Sequence, residues 1–289
     1  MSSTPKSLEG RTIVVTGGSM GIGYACAEEI LARGGRVFLV ARGKPDLESA
    51  ADRLGRNAKD VVSWMAADVA NEDDVRRIFD GADAFGEVSG VVHSAGIYGP
   101  IGAVVDVDAA AWLDTVRVNL FGSFLVAREA CKRFIKNGTK GSLVLLAGGG
   151  AASPFPRYTA YASAKAGVVR LTETLALEVA EHGIRVNCIA PGFVATLLHE
   201  QTLAAGEAAA GDFFATTQAR LSEGSVSPAV AARTVAFLLS SESEAITGRF
   251  VAAPYDDWEH WPEHLDEIIG SDLFTLRRIV PRDRGKDWQ

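Results

Sequence analysis

The sequence predicts a doubly wound α/β fold of the Rossmann type, with a parallel sheet in a single domain. Short runs rich in β-branched residues alternate with longer helical patterns through most of the 289 residues. The strand-like runs are apolar on both faces, which is typical of a parallel sheet that helices cover on each side. Right-handed crossovers then join the strands, and ligands of such sheets bind beyond the carboxyl ends of the strands.

The strands and helices can be assigned in order along the chain. The first strand, RTIVVTG (11–17), ends in a glycine turn, and the amphipathic helix YACAEEILARGG (24–35) is closed by two glycines. RVFLVAR repeats the strand pattern, and the next helix, PDLESAADRLGR, has proline in its first turn. Four further strands are predicted for VVSWMAADV, SGVVHSAG, GSLVLLAG and IRVNCIAPG, with helical segments near 71–85, 108–136 and 158–182.

The C-terminal part of the chain predicts a lid and an extension. The alanine-rich segment 197–226 is mixed in charge and flanked by glycines, which favours a helical lid over the edge of the sheet. A last strand, GRFVAAP, ends the α/β domain, 1–252, and an extension follows at 253–289. Its large aromatic residues are Trp258, Trp261, Phe274 and Trp288. Because this is much aromatic area to leave in water, the extension should close a substrate pocket or pack on the fold or a neighbouring subunit.

The composition argues against several classes of function. The formal net charge of −7 and the pI of about 5.3 disfavour a nucleic-acid-binding surface. No uncharged apolar run approaches the ~20 residues that span a bilayer, and the opening MSSTPKSLEG lacks the apolar core of a signal peptide. The three cysteines, Cys26, Cys131 and Cys188, are not spaced as metal ligands. We therefore expect a cytoplasmic protein with reduced thiols and neither a metal site nor a membrane partner.

The first glycine turn and a later tyrosine and lysine identify a family. In TGGSMGIG (16–23), glycines let the backbone turn tightly and approach a pyrophosphate, which the N-terminus of the following helix stabilises. Tyr161 and Lys165 lie four positions apart. Together these motifs resemble the short-chain dehydrogenase/reductase family, and the likeness runs from about residue 8 to 252.

The resemblance implies a nicotinamide dinucleotide as cofactor. The residues expected to bind it are Thr16, Gly17, Ser19, Met20, Gly21, Ile22, Gly23, Arg42, Asp68, Val69, Ser94, Ala95, Gly96, Tyr161, Lys165, Pro191, Gly192, Val194 and Thr196. HSAG (93–96) stands where the family usually reads Asn-Asn-Ala-Gly, and we assign His93 no chemical role.

The end of the second strand indicates which dinucleotide is preferred. An acidic residue there would accept the ribose hydroxyls of NAD(H) and repel a 2′-phosphate. The chain has Ala41 at this place, followed by Arg42, which can pair with a 2′-phosphate. NADP(H) is therefore favoured over NAD(H), although an ordinary surface arginine would give the same pattern.

The predicted catalytic residues are Tyr161, Lys165 and Asn119. Hydride transfer to a carbonyl needs a proton partner for the oxygen. Tyrosine has an ordinary pKa near 10, which the ammonium of Lys165, one helical turn away, and the positive nicotinamide would lower. By resemblance, Lys165 also hydrogen-bonds the nicotinamide ribose, and Asn119 orders a water in a proton relay.

One expected group is missing. The family serine that hydrogen-bonds the substrate oxygen usually lies thirteen positions before the tyrosine, and this chain has Gly148 there. Loss of one such donor typically raises the barrier by about 2.7–4 kcal/mol. Backbone N–H groups of Gly148, Gly149 and Gly150 could replace it, or Ser153 or the substrate could supply the hydroxyl. A third account is a catalytically weak or inactive protein that binds NADP(H) as a sensor or assembly subunit.

We expect an active oxidoreductase, because the three predicted catalytic residues are present. It would interconvert a secondary alcohol and a ketone, or an alcohol and an aldehyde. The lid residues Leu197, Leu198, Phe213 and Phe214 favour a partly apolar pocket, which leaves steroids, acyl thioesters, modified sugars and aromatic alcohols as substrates. The resemblance further implies a homodimer or homotetramer built through the helices at 108–136 and 158–182.

Overall fold

The sheet has seven parallel strands in the order β3-β2-β1-β4-β5-β6-β7. The computed structural model describes residues 7–55 and 59–288. The strands are β1 Thr12–Thr16, β2 Arg36–Ala41, β3 Val62–Ala66, β4 Val88–His93, β5 Ser142–Leu146, β6 Arg185–Ala190 and β7 Phe250–Ala252. The predicted doubly wound α/β fold is confirmed.

Helices lie on both sides of the sheet. The α-helices of the described ranges are α1 Gly21–Ala32, α2 Lys44–Leu54, α3 Glu72–Phe85, α4 Ala109–Val116, α5 Gly122–Asn137, α6 Thr159–Glu178, α7 Leu197–Ala205, α8 Glu207–Ala210, α9 Asp212–Glu223, α10 Pro228–Leu239 and α11 Leu265–Ile269. Short 3₁₀ turns cover Lys59–Val61, Gly149–Ala151, Ala180–His182, Ser241–Ser243, Trp258–His264 and Pro281–Arg284. Among these described helices, none has the length and apolarity that a bilayer crossing requires.

Two features differ from the sequence prediction. The single helix expected at 108–136 is divided into α4 and α5 by a π-helical turn, Arg117–Phe121, which carries Asn119. Such turns inside α-helices are frequent at functional sites. Sequence analysis also left α10 unassigned, although Ser227 caps it and proline occupies its first turn.

Two hydrophobic cores form on the two faces of the sheet. On β1, Ile13 and Val15 point into the core that includes Ile30 of α1. Between them, Val14 points into the opposite core, with Phe79 of α3. Side chains of a strand alternate between faces, so a run that is apolar at every position must be covered on both sides.

The strand register brings the turns that follow the strands to one edge of the sheet. Thr16, the last residue of β1, lies beside Val40 of β2 and His93 of β4. The chain therefore leaves these three neighbouring strands at the same level, and the turns after them can meet over one cleft.

The C-terminal extension packs on the domain of its own chain. Trp258 and Trp261 are 6% and 4% exposed, within the core that also contains α1 and α10. The indole N–H of Trp258 donates to the carbonyl of Ala253 at 3.0 Å, and the ring of Trp261 lies 4.3 Å from that of Phe274.

The extension also covers the outer edge of β7. The backbone N–H of Phe250 donates to the carbonyl of Phe274 at 2.8 Å. The buried guanidinium of Arg249 donates to the carbonyls of Ile268, Ser271 and Leu273, at 2.5, 3.1 and 3.0 Å. The bond from Phe250 occupies a backbone N–H at a sheet edge that would otherwise be open to pairing with another chain. The Arg249 bonds hold the extension beside that edge.

We expect Trp261→Ala to lower the free energy of unfolding by about 3–5 kcal/mol, because it removes a buried indole and leaves a cavity. Urea unfolding measures this change. Trp288→Ala is the matched control, since Trp288 is 65% exposed. Equal stability of the two variants would contradict the packing of the extension described above.

Candidate active site

Three adjoining cavities follow the carboxyl edge of the sheet. The β2 cavity, about 260 Å³, lies beside Ala41 and Asp68. The central cavity, about 200 Å³, lies beside Gly21 and Lys165. The apolar cavity, about 520 Å³, lies beneath α7 and α9. Neighbouring cavities share lining residues, so the three form one cleft. The shared residues are Gly17, Ser19, Met20, Ala95 and Gly96 for the first two, and Ile22, Tyr161, Pro191, Thr196 and Leu198 for the last two.

The glycine turn packs backbone against backbone. Gly17 has a φ of 65°, and a Cβ there would come within 2.9 Å of the backbone nitrogen of Ala95. Such a positive φ and so close an approach both favour glycine. On α1, a Cβ at Gly23 would overlap the carbonyl oxygen of Gly17, so the helix also begins in direct contact with the turn.

The N-terminus of α1 is open toward the central cavity. Within the described residues, Met20 gives no side-chain cap, and the first turn carries no acidic residue. In α3, by contrast, Asn71 accepts hydrogen bonds from the N–H groups of Asp73 and Asp74. Uncapped N–H groups at a helix N-terminus favour an anion. The turn and helix therefore fit the pyrophosphate of a dinucleotide.

Most of the predicted cofactor residues line the cleft. They are Gly17, Ser19, Met20, Gly21, Ile22, Arg42, Asp68, Val69, Ser94, Ala95, Gly96, Tyr161, Lys165, Pro191, Gly192, Val194 and Thr196. Among the described lining residues, Thr16 and Gly23 are missing. Thr16 is buried in the sheet, where its hydroxyl lies 2.9 Å from His93 Nδ1 and accepts from the N–H of Ala95 at 3.3 Å. Gly23 packs against Gly17 instead. Thr16 and Gly23 therefore shape the glycine turn and do not line the cleft.

The β2 cavity brings together a cation and two carboxylates. Arg42 is exposed, and in the described part of the chain it forms no hydrogen bond or ion pair. Asp68 accepts a hydrogen bond from the N–H of Ala70 at 2.9 Å. Asp46, on the first turn of α2, lines the same cavity, and sequence analysis did not single it out. Its place near the end of the second strand was the available signal.

Tyr161 and Lys165 lie on α6 where the central and apolar cavities meet. The hydroxyphenyl group is 8% exposed and the lysine 5% exposed. Lys165 Nζ donates to the carbonyl of Leu146 at 2.6 Å and lies 5.7 Å from the centre of the Tyr161 ring. Lys165 thereby joins α6 to the end of β5 and keeps its ammonium beside the phenol.

Burial decides the protonation of this pair. It lowers the pKa of Lys165 to about 8 and raises the pKa of Tyr161 above its ordinary value. The sequence-based expectation was a lowered pKa for Tyr161, because it weighed the charges of Lys165 and of a bound nicotinamide ring, whereas burial is the cause that shifts this pKa in the structure. The buried residues by themselves therefore favour a neutral phenol, which is the proton-donating form.

Asn119 forms two hydrogen bonds with the backbone of Ile97, which the sequence did not indicate. Its side-chain amide accepts from the N–H of Ile97 at 2.9 Å and donates to the carbonyl of Ile97 at 2.7 Å. Asn119 is buried and, of the described residues, is not one that lines the cleft. Its part in a proton relay stays a prediction, and its evident effect is to fix the segment after β4.

Gly148 lies directly beneath the phenol. A Cβ at this position would overlap Tyr161 Oη, so a serine would have to displace the phenol. Gly148, Gly149 and Gly150 all line the apolar cavity. Ser153, one of the alternatives for the missing hydroxyl, lies outside this wall. It is exposed beyond the 3₁₀ turn Gly149–Ala151 and is not among the described residues that line the cavity.

The apolar cavity is walled mainly by aromatic and aliphatic groups. Its apolar side chains include Ile22, Phe155, Phe193, Leu198, Phe213 and Phe250. Of the four lid residues named from the sequence, Leu198 and Phe213 line it, while Phe214 packs beside it and Leu197 is half exposed. From the extension, Tyr255 reaches the mouth of the cavity and is 75% exposed.

Tyr98 and His199 are two polar lining residues that sequence analysis missed. Tyr98 is 5% exposed and His199 is 7% exposed. Tyr98 Oη lies 3.5 Å from His199 Nε2, across 101 positions of sequence. The only sequence signal was the place of Tyr98 two residues after HSAG, because His199 lies in a lid with no motif of its own.

Comparison with known proteins identifies the family. A family model described as enoyl-(acyl carrier protein) reductase matches residues 17–253. The 3beta-hydroxysteroid dehydrogenase 1 of Eggerthella lenta is 36% identical over 246 residues, which cover 83% of this chain and 91% of that protein. The crystal structure of levodione reductase is 30% identical, with a TM-score of 0.75, and covers 85% of this chain and 96% of its own. That of a variant actinorhodin polyketide ketoreductase with NADPH is 28% identical, with a TM-score of 0.75, and covers 86% and 96%.

The chain belongs to the short-chain dehydrogenase/reductase family. It is an oxidoreductase that acts on CH–OH groups, and a nicotinamide dinucleotide fits its cleft.

Because the imidazole of His93 is buried, we expect the free energy of unfolding to fall at acidic pH. Burial lowers its pKa to about 3, and in the described structure its Nε2 has no hydrogen-bond partner. As pH falls below 6.5, the unfolded chain binds a proton at this residue and the folded chain does not. The free energy of unfolding should therefore fall by about 1.4 kcal/mol per pH unit from this group.

Urea unfolding of the wild type and of His93→Asn, at about pH 7 and about pH 4.5, measures this contribution. The asparagine variant should lose less stability than the wild type between the two pH values. All other titrating groups are common to both proteins. An equal loss in the two proteins would contradict a neutral, buried imidazole.

Proposed function

We propose that this chain is an NADP(H)-dependent oxidoreductase that interconverts a hydrophobic secondary alcohol and its ketone, with Tyr161 as general acid and base. One observation carries the proposal. Tyr161 lines both the central cavity, which fits the cofactor, and the apolar cavity, which fits an organic substrate. The comparisons give no support to the catalytically weak or inactive alternative.

Each residue of the pair has a defined part. When bound, the dinucleotide supplies or accepts the hydride. In ketone reduction, Tyr161 donates its hydroxyl proton to the substrate oxygen as the hydride reaches the carbonyl carbon. Burial favours this neutral phenol. In alcohol oxidation the proton moves the other way, and the ammonium of Lys165 stabilises the phenolate that accepts it.

The size and lining of the apolar cavity support a cyclic, largely hydrophobic substrate. A volume of about 520 Å³ is within the usual range for small-molecule sites. Aromatic rings form much of the wall, including Phe155, Phe193 and Phe213. A hydroxysteroid dehydrogenase and a levodione reductase are among the similar proteins. We therefore place hydrophobic cyclic ketones first among the substrate classes.

The preference for NADP(H) rests on Arg42. Its guanidinium lines the β2 cavity and is free, among the described residues, to pair with a 2′-phosphate. Asp46 works against this preference, because its carboxylate faces the same cavity. We give Arg42 the larger effect because it follows directly after the second strand, where the 2′ position of the ribose is read.

We infer that the protein self-associates, as membership of the family implies. Exposed apolar residues lie on α4, the π-helical turn, α5 and α6, the elements expected to form a dimer or tetramer. They are Leu113, Phe121, Phe124, Ile135 and Leu177. Burying such a surface between two copies would remove it from water.

We expect Tyr161→Phe to lower kcat/KM for ketone reduction by about 10²–10⁴-fold, because the proton donor is lost. The assay follows NADPH consumption with a panel of steroid ketones and substituted cyclohexanones. NADPH binding by fluorescence titration is the control and should be retained. If the wild type and the variant both bind NADPH and are equally inactive on the whole panel, the proposed function is wrong.

We expect Arg42→Ala to raise the KM for NADPH by about tenfold or more, because a charge-assisted hydrogen bond contributes about 1.5–3 kcal/mol. The KM for NADH should change little. Lys44→Ala is the matched control, since it removes a neighbouring cation outside the lining of the β2 cavity. A variant that loses NADH and NADPH equally would contradict the role of Arg42.

A further inference from the structure

The reaction proposed above places charge on the substrate oxygen, and Tyr161 is one donor for it. The position of the family serine, Gly148, has no side chain, and the phenol of Tyr161 occupies the space beside it. Ser153 is exposed and is not among the described residues that line the cavity. A side chain that replaces the serine hydroxyl therefore has to come from another wall of the apolar cavity.

Few buried side chains of that wall can hydrogen-bond. Apart from Tyr161, the polar lining side chains in the described structure are Tyr98, Thr196, His199 and Tyr255. Tyr255 lies in solvent at the mouth. Thr196 also lines the central cavity, where the cofactor is expected. The remaining two, Tyr98 and His199, form a buried pair inside an otherwise apolar chamber.

Tyr98 lies against Tyr161. The two ring centres are 4.8 Å apart and the rings are nearly perpendicular, at 86°. Burial raises the pKa of Tyr98, so its hydroxyl keeps its proton and can donate. Negative charge on Tyr161 or on Tyr158 would raise the pKa of Tyr98 further.

The backbone on each side of Tyr98 is fixed. Before it, both backbone polar groups of Ile97 bond to the side chain of Asn119. After it, a Cβ at Gly99 would overlap the hydroxyl of Thr115, so the chain passes close to α4. A donor held in this way needs little reorganisation when charge develops on the substrate.

His199 is a weak partner for the Tyr98 hydroxyl. The distance of 3.5 Å between Oη and Nε2 is at the limit for a hydrogen bond. His199 Nδ1 lies 3.5 Å from Thr196 Oγ1, and the imidazole packs on the ring of Phe193 at 3.9 Å. Burial lowers the pKa of His199 to about 4, so the imidazole is neutral at neutral pH. It can orient the tyrosine without competing strongly for its proton.

We propose that Tyr98 is a second catalytic residue, which donates a hydrogen bond to the substrate oxygen in place of the absent serine hydroxyl at Gly148. His199 is a positioning residue that holds the Tyr98 hydroxyl toward the cavity until substrate binds. Tyr98 transfers no proton. The reduction therefore still balances, with one hydride from the dinucleotide and one proton from Tyr161. This inference rests on the proposed function.

The test compares steady-state kinetics of Tyr98→Phe and Tyr158→Phe on the same ketone panel. Tyr158 is a matched control, because its ring packs in the same cluster at 5.1 Å from that of Tyr98. Its hydroxyl bonds to Thr202 at 2.9 Å, and among the described residues it does not line the apolar cavity. Tyr98→Phe should lower kcat by about 100-fold with KM nearly unchanged. Tyr158→Phe should keep the wild-type kcat.

A second pair of variants tests His199. His199→Phe should lower kcat by about tenfold, and His199→Gln should restore most of it, because the amide can still accept from Tyr98. Melting temperatures of all variants show whether they are folded. A merely structural role for these residues would lower stability and leave kcat unchanged.

The outcomes separate the two proposals. An active wild type, an inactive Tyr161→Phe variant and a Tyr98→Phe variant with at least half of the wild-type kcat would overturn the role of Tyr98 alone. A Tyr98→Phe variant that only raises KM would also overturn it, because the hydroxyl would then bind substrate equally in the ground and transition states. A wild type that turns over no ketone of the panel would overturn both proposals.

Discussion

A single buried hydrogen bond, from Lys165 Nζ to the carbonyl of Leu146, fixes α6 against the carboxyl end of β5. Without it the lysine would be an interior charge with no acceptor among the described residues, which is costly in a medium that solvates ions poorly. Because the bond sets the position of α6, it also sets the position of Tyr161, one turn earlier, over Gly148. The lysine therefore joins the part of the cleft that fits a dinucleotide to the part that fits a substrate.

Burial controls the chemistry of this cleft more than direct charge pairing does. It keeps Tyr98 and Tyr161 protonated and His93 and His199 neutral, because each ionised form would lose its hydration. Burial also lowers the pKa of Lys165, to about 8, but at neutral pH this residue still carries its proton and its charge. The result is a chamber of neutral donors around one ammonium, which suits the stabilisation of a developing negative charge on oxygen.

The C-terminal extension serves the fold more than the site. Its tryptophans at 258 and 261 are in the core, and its carbonyl at Phe274 bonds to the N–H of Phe250 on β7. Further carbonyls of the extension accept from the guanidinium of Arg249. Only Tyr255, among the described residues after Pro254, reaches the cleft. The aromatic content of the extension thus follows mainly from its packing in the core beside α1 and α10, and substrate contact is a small part of it.

The sequence by itself predicted the succession of strands, the glycine turn and the place of Tyr161 and Lys165 on one helix. Each of these features depends on residues that are close along the chain. Only the tertiary structure decided which side chains are buried and which of them meet. It buried Thr16 in the sheet, left Ser153 exposed to solvent and brought Tyr98 beside His199. The physical reason is that hydrogen bonding and burial depend on distance in space, and only packing of the helices on the sheet brings residues about a hundred positions apart into one cavity.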